Sequence, residues 1–136
     1  MGFVVDASVT LAWCFSDERT EATERLLDRV TTEQVVAPAL WVTETTNALL
    51  SAVRRGRLLP EQAKNVQALI GALPIEVDST PPDRQELFAV ARRHNLSSYD
   101  ASYLLLAQRR DLPLTTLDTR LHTAALAAGS DVLPAR

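Results

Sequence analysis

The run Phe3-Val4-Val5, followed at once by Asp6-Ala7-Ser8, constrains the fold of this chain more than any other stretch. Consecutive β-branched and aromatic residues without polar alternation read as a strand buried on both faces. Strands of that kind lie in the middle of parallel sheets covered by helices. Ligands of open parallel sheets bind outside the carboxyl ends of the strands, and Asp6 stands at such an end. Three later carboxylates, Glu44, Asp100 and Asp118, are the candidates to converge on it.

The rest of the chain alternates helix and strand. Ser8 is the expected N-cap of a short helix carrying Leu11, Trp13 and Phe15. Thr20 to Val30 places Ala22, Leu26, Leu27 and Val30 at helical spacing. Gln34 to Pro38 reads as a short second strand, stopped by Pro38, which has no N–H for a ladder. Ala39 to Arg55 reads as a long helix with Gly56 at its C-terminal cap. Pro60 opens the next helix, which is expected to end near Gly71. Leu73 to Val77 alternates like a strand nearer an edge. Pro81-Pro82-Asp83 opens a helix that runs to His94-Asn95. Ser97 to Asp100 opens the most apolar helix, Ala101 to Ala107, which Arg109-Arg110-Asp111 ends. Leu112 to Asp118 reads as a fourth strand. Asp118 is the expected cap of a helix over Thr119 to Ala128, ended by Gly129, and Asp131-Val132-Leu133 is a last short strand. This order predicts a single α/β domain over residues 1–136: a three-layer α/β/α sandwich around a mostly parallel sheet of about five strands.

Composition narrows the function classes. The chain has 136 residues, enough for one core. No apolar run approaches the ~18 residues of a membrane span. The start of the chain lacks the basic-then-apolar pattern of a signal peptide, and the single cysteine, Cys14, cannot form an internal disulfide. A cytoplasmic protein away from the membrane is expected. The net charge of −3 provides no global basic field for nucleic acid. Arginines are nevertheless clustered at Arg54, Arg55 and Arg57, at Arg92 and Arg93, and at Arg109 and Arg110. Such clusters serve either as helix ends that complement the dipole or as phosphate contacts. His94 and His122 have no cysteine partners, which leaves no zinc signature, and the scattered glycines form no phosphate loop.

Each acid has an ordinary explanation alone. Asp6 could bond the turn after its strand, and Asp118 could serve only as a cap. Asp100 would gain from the dipole of its helix, and Glu44 could be a solvated surface residue. Together they are harder to explain so. Asp6 and Asp118 both end apolar strands, which parallel pairing brings to one edge of the sheet. Asp100 begins the most apolar helix, where an unpaired charge costs several kcal/mol. Glu44 and Asn47 leave one face of their helix. Carboxylates gathered in this way repel and titrate high unless a hard cation joins them.

The segments Val4-Val5-Asp6-Ala7-Ser8, Pro38…Glu44-x-x-Asn47-Ala48-Leu49, Ser98-Tyr99-Asp100-Ala101-x-Tyr103-Leu104 and Leu114-x-Thr116-Leu117-Asp118-x-x-Leu121 resemble, in order, the motifs of PIN-domain ribonucleases. In length and layout the chain is similar to the VapC-type toxins of bacterial toxin–antitoxin pairs. The resemblance implies that Asp6, Glu44, Asp100 and Asp118 hold Mg²⁺ or Mn²⁺, with Ser8, Asn47 and Thr116 in support. It implies hydrolysis of RNA phosphodiester bonds by a metal-activated water, a homodimer, and a cognate antitoxin whose C-terminal segment covers the active site. Some relatives carry a further acid after the fourth motif, where this chain has Thr119, Arg120 and Leu121.

Three functions follow for testing. A metal-dependent endoribonuclease uses all four acids. A phosphotransfer domain on a similar sheet would need a second Asp where Ser8 stands, or a lysine at the end of a late strand, and the chain has neither. A catalytically silent PIN-fold protein that works through a protein partner is the remaining alternative.

Overall fold

The computed structural model describes residues 1–134. Its elements are β1 (Gly2–Val5), α1 (Ala7–Cys14), α2 (Glu21–Arg29), β2 (Gln34–Pro38), α3 (Leu40–Arg54), α4 (Pro60–Ala72), β3 (Glu76–Asp78), α5 (Arg84–His94), α6 (Ser98–Arg110), β4 (Leu114–Thr115), α7 (Thr119–Ala127) and β5 (Val132–Leu133). The strands form one sheet in the order β3-β2-β1-β4-β5, and every neighbouring pair is parallel.

The first strand is central, as its composition demands. Phe3, Val4 and Val5 are fully buried, so both faces of β1 are covered and the sheet lies between helical layers. Val4 is in register with Val36 of β2 on one side and with Leu114 of β4 on the other. Gly2 is required by the close approach of β2. A Cβ there would lie 1.9 Å from the Gln34 carbonyl oxygen, which no side chain can meet without moving the ladder. From β1 the chain winds outward through β2 and β3, then returns to the other side of β1 with β4. The topological switch therefore lies between β1 and β4, and the crevice at their carboxyl ends is where such sheets bind ligands.

α6 packs on β1, β2 and β4. Its Ala101, Tyr103, Leu104, Leu105, Leu106 and Ala107 are all buried, close to the all-round apolarity of the sequence. Trp13 and Trp41 are core residues. The Trp13 indole N–H donates to the Thr23 carbonyl at 2.7 Å, and that of Trp41 to Thr10 Oγ1 at 2.9 Å.

Some boundaries differ from the sequence reading. α1 is capped by Asp6, not Ser8, because the Asp6 carboxylate already accepts from the Val9 N–H. β2 runs over Gln34–Pro38 as read, with Pro38 in register with Asp78 at the last rung, where the missing N–H interrupts nothing beyond it. α4 passes through Gly71 and ends at Leu73, which is extended; a mid-helix glycine weakens a helix without stopping it, whereas a residue before proline avoids the α region. The pairing of β3 accordingly begins only at Glu76, and that of β4 covers only Leu114–Thr115.

Candidate active site

Asp6 leaves β1 at its carboxyl end and becomes the first cap of α1. Its Oδ1 accepts from the Val9 N–H at 3.0 Å and from the Ser8 hydroxyl at 2.7 Å. Ser8 Oγ in turn accepts from the Leu117 N–H at 3.0 Å. One serine thus joins the turn after β1 to the turn after β4, across the switch point. Thr116 makes a second joint. Its hydroxyl is fully buried, bonds the Asp6 carboxylate and accepts from the Asp118 N–H at 3.1 Å. Asp118 caps α7 by accepting from the Leu121 N–H at 2.9 Å. A third support comes from below: Thr10 Oγ1, held by the Trp41 indole, donates to the Asp6 carbonyl at 2.9 Å.

Helices supply the other two acids. Ser97 caps α6 by accepting from the Asp100 N–H at 3.1 Å, which fixes Asp100 in the first turn. Glu44 lies on α3, half-buried, and its Oε1 accepts from the Tyr103 hydroxyl at 2.6 Å. Asn47, one turn on from Glu44, is exposed and carries no side-chain hydrogen bond among the described residues, so nothing in the fold fixes it toward the acids. Tyr103 was quoted in the sequence only as part of a motif. Its spacing of three from Asp100, which puts both on one face of α6, was the available signal.

The electrostatics tie the four acids together. Burial pushes the Asp6 carboxyl up to about 6, and the charge of Asp100 adds to it, against the bonds from Thr116, Val9 and Ser8. Burial also raises Glu44, again with Asp100 adding, while the Tyr103 hydroxyl opposes. Asp100 is raised by burial and then by Asp118, with Ser97 and Arg120 opposing. Asp100 therefore adds its charge to both Asp6 and Glu44, and itself feels Asp118. Among the described residues no arginine or lysine forms an ion pair with any of the four.

A hard cation would suit such a set. Every donor is a hard oxygen, and three of the acids are held against their own charge. Among the described residues no group of three His, Cys, Asp or Glu side chains stands close enough to make a ready cage. The all-oxygen donor set would suit Mg²⁺ or Mn²⁺, since Mg²⁺ is usually held by one or two carboxylates and keeps several waters.

The profile of the PIN domain family matches residues 3–126. The chain belongs to the PIN domain family. It is 32% identical over 123 residues to Ribonuclease VapC3 of Pyrobaculum aerophilum, covering 89% of this chain and 92% of that one. It is 39% identical over 90 residues to Ribonuclease VapC1 of Mycobacterium tuberculosis, covering 65% of each. Among solved structures, PAE2754 from Pyrobaculum aerophilum has a TM-score of 0.73 at 24% identity, covering 98% of this chain and 84% of that one. VapBC2 from Rickettsia felis, bound to a DNA fragment from their promoter, has a TM-score of 0.69 at 9% identity, with 97% of each chain covered. At these identities the structures carry the fold alone.

The arginines of this PIN domain divide by task. Arg57 pairs with Asp17 and Glu18 and lies 4.1 Å from the centroid of the Phe15 ring. Arg109 and Arg110 pair with Asp78, and Arg110 also with Glu76. These three hold the fold together. Arg54 and Arg55 at the end of α3, and Arg92 and Arg93 in the last turn of α5, are exposed.

Proposed function

We propose that this PIN domain is a Mg²⁺- or Mn²⁺-dependent endoribonuclease, the toxin component of a toxin–antitoxin pair. The observation that carries the reading is a buried acid, Asp6, placed at the switch point of a parallel sheet without a cationic side chain to pair it. Asp100 adds its charge to Asp6 and to Glu44, and Asp118 adds its own to Asp100. The relatives named as VapC ribonucleases, and the VapBC2 assembly with its likeness in fold, support the substrate class and an antitoxin partner. A homodimer and a cytoplasmic location belong to the same proposal.

In it, Asp6, Asp100 and Asp118 hold the cation, directly or through water, and Glu44 completes the acidic set. A divalent ion there supplies neutralisation of the phosphate charge and a water acidic enough to attack at neutral pH. The chain's own part is orientation. Ser8 and Thr116 fix the Asp6 carboxylate against the turn that carries Asp118. The buried floor of β1 keeps Asp6 from solvating itself away from the crevice.

The test is cleavage of single-stranded RNA by wild type and Asp6→Asn, each with Mn²⁺, with Mg²⁺ and with EDTA. Metal-dependent cutting by the wild type alone is expected. Equal cutting by both proteins would remove the assignment. The lack of a ready cage favours a second reading, a silent domain that only binds a partner. A melting temperature unmoved by Mn²⁺, together with no cleavage, would put that reading first.

A further inference from the structure

We infer that Tyr103 is a positioning residue for the acidic centre, clamping Glu44 so that one carboxylate oxygen is left to face a cation. The inference rests on the metal-site reading above and adds to it a residue and a role.

Tyr103 is only 2% exposed and is packed in the main core. A buried phenol must place its O–H on an acceptor or lose a hydrogen bond's worth of solvation. The acceptor chosen is not a nearby backbone carbonyl. It is Glu44 Oε1, on a different helix, 59 residues away, at 2.6 Å. That length is typical of a hydroxyl donating to an ionised carboxylate.

The two partners are unequally fixed. Packing immobilises the tyrosine ring, whereas Glu44 is half-exposed and makes no other side-chain bond among the described residues. The tyrosine therefore orients the acid, and not the reverse. With Oε1 occupied by the phenol, Oε2 is the oxygen that remains for a cation or its water. Tyr103 also lies three residues beyond Asp100 on α6, on the same face. One rigid helix thus presents one acid itself and, through its next turn, sets the position of another on α3. A phenol that merely satisfied itself in the core would not need to choose one of the four acids.

The test is a double-mutant cycle on Mn²⁺ affinity, read from melting temperature against Mn²⁺ concentration in wild type, Tyr103→Phe, Glu44→Ala and the double variant. Tyr103→Phe keeps the buried ring, and its metal-free melt reports any loss of packing separately. The expected result is an Mn²⁺ midpoint raised about 10- to 100-fold by Tyr103→Phe, the range for losing a group that orients a metal ligand. In the Glu44→Ala background the same change should move the midpoint no further. Cleavage by Tyr103→Phe should return toward the wild-type rate in excess Mn²⁺, because the phenol touches neither RNA nor metal. An unchanged midpoint, or an equal loss in the Glu44→Ala background, overturns the inference and leaves the metal site standing. A wild type that shows no Mn²⁺ response overturns the metal reading itself, and this inference with it.

Discussion

Two carboxylates of this protein occupy equivalent places and behave in opposite ways. Asp6 follows β1 and Asp78 ends β3; both are buried at the carboxyl edge of the same parallel sheet. Asp78 accepts from the Thr80 N–H, Arg109 and Arg110, and these bonds hold it well below the usual carboxylate range. Asp6 accepts only from hydroxyls and one N–H, and burial pushes it up to about 6. α6 serves both: its last turn supplies the arginines to Asp78, and its first turn adds Asp100 to the field around Asp6. A fold that can deliver two guanidinium groups to one buried acid has withheld them from the other. Where an acid is completed by the chain, it is architecture. Where it is left to be completed from outside, it is a site.

This contrast can be broken at either end. The largest effect is expected from Asp6→Asn, which should lower the rate of RNA cleavage by about 10²–10³-fold, the usual cost of losing one preorganised electrostatic group. A circular dichroism melt should show the fold intact. Next in size is the metal-free stability against pH. Asp6 titrates near 6 in the folded protein and near 4 when unfolded, so the native state holds the extra proton between those values. The contribution of Asp6 should fall as pH rises from about 4 to about 6, by up to about 3 kcal/mol in all and by about half of that above pH 5. Urea unfolding in EDTA at about pH 5 and about pH 7 measures this, and Asp6→Asn should flatten the difference. A metal-free protein that grows more stable over that interval would contradict the burial argument.

Asp78→Asn should produce the opposite pattern. It should cost about 1–3 kcal/mol of stability at neutral pH, the range for losing hydrogen bonds to a charged group, and leave the Mn²⁺-induced melting shift unchanged. Because its pKa is depressed, the stability that Asp78 contributes is present at neutral pH and disappears only as pH falls through the lowered value. The smallest effect is expected from Glu76→Gln. This acid shares Arg110 but is half-exposed, and water screens it, so the melting temperature should stay close to that of wild type. A large loss there would mean that the Asp78 cluster acts as one unit.

Much of this was legible in the chain because local chemistry repeats global placement. Phe3-Val4-Val5 announced a strand covered on both faces, and it is the middle strand. Asp118 sits where an N-cap and a strand end coincide, and it serves as the cap at the crevice. The arginine clusters were ambiguous, since a guanidinium suits a phosphate and a carboxylate alike. Only the ion pairs from the end of α6 to Asp78 and Glu76 showed that Arg109 and Arg110 are used internally. The cap of α1 was misplaced by two residues because Asp6 and Ser8 are both good cap residues, and the choice depends on the strand's exit angle. Tyr103 was readable as core, which it is. Its bond to Glu44 spans two helices far apart in sequence, and no local pattern encodes such a pair.

The joints made by Ser8 and Thr115 have a consequence in time. Thr115 Oγ1 donates to the Val4 carbonyl across 111 positions, and Ser8 receives the Leu117 N–H across 109. β1 and the turn after it hold half of the crevice, and the other half comes from β4 and the turn after it, more than a hundred positions on. Contacts so distant in sequence close late and slowly. A growing chain, or one cut short before residue 114, carries Asp6 and Glu44 with no fourth strand beside them. The crevice therefore assembles only once β4 has joined β1.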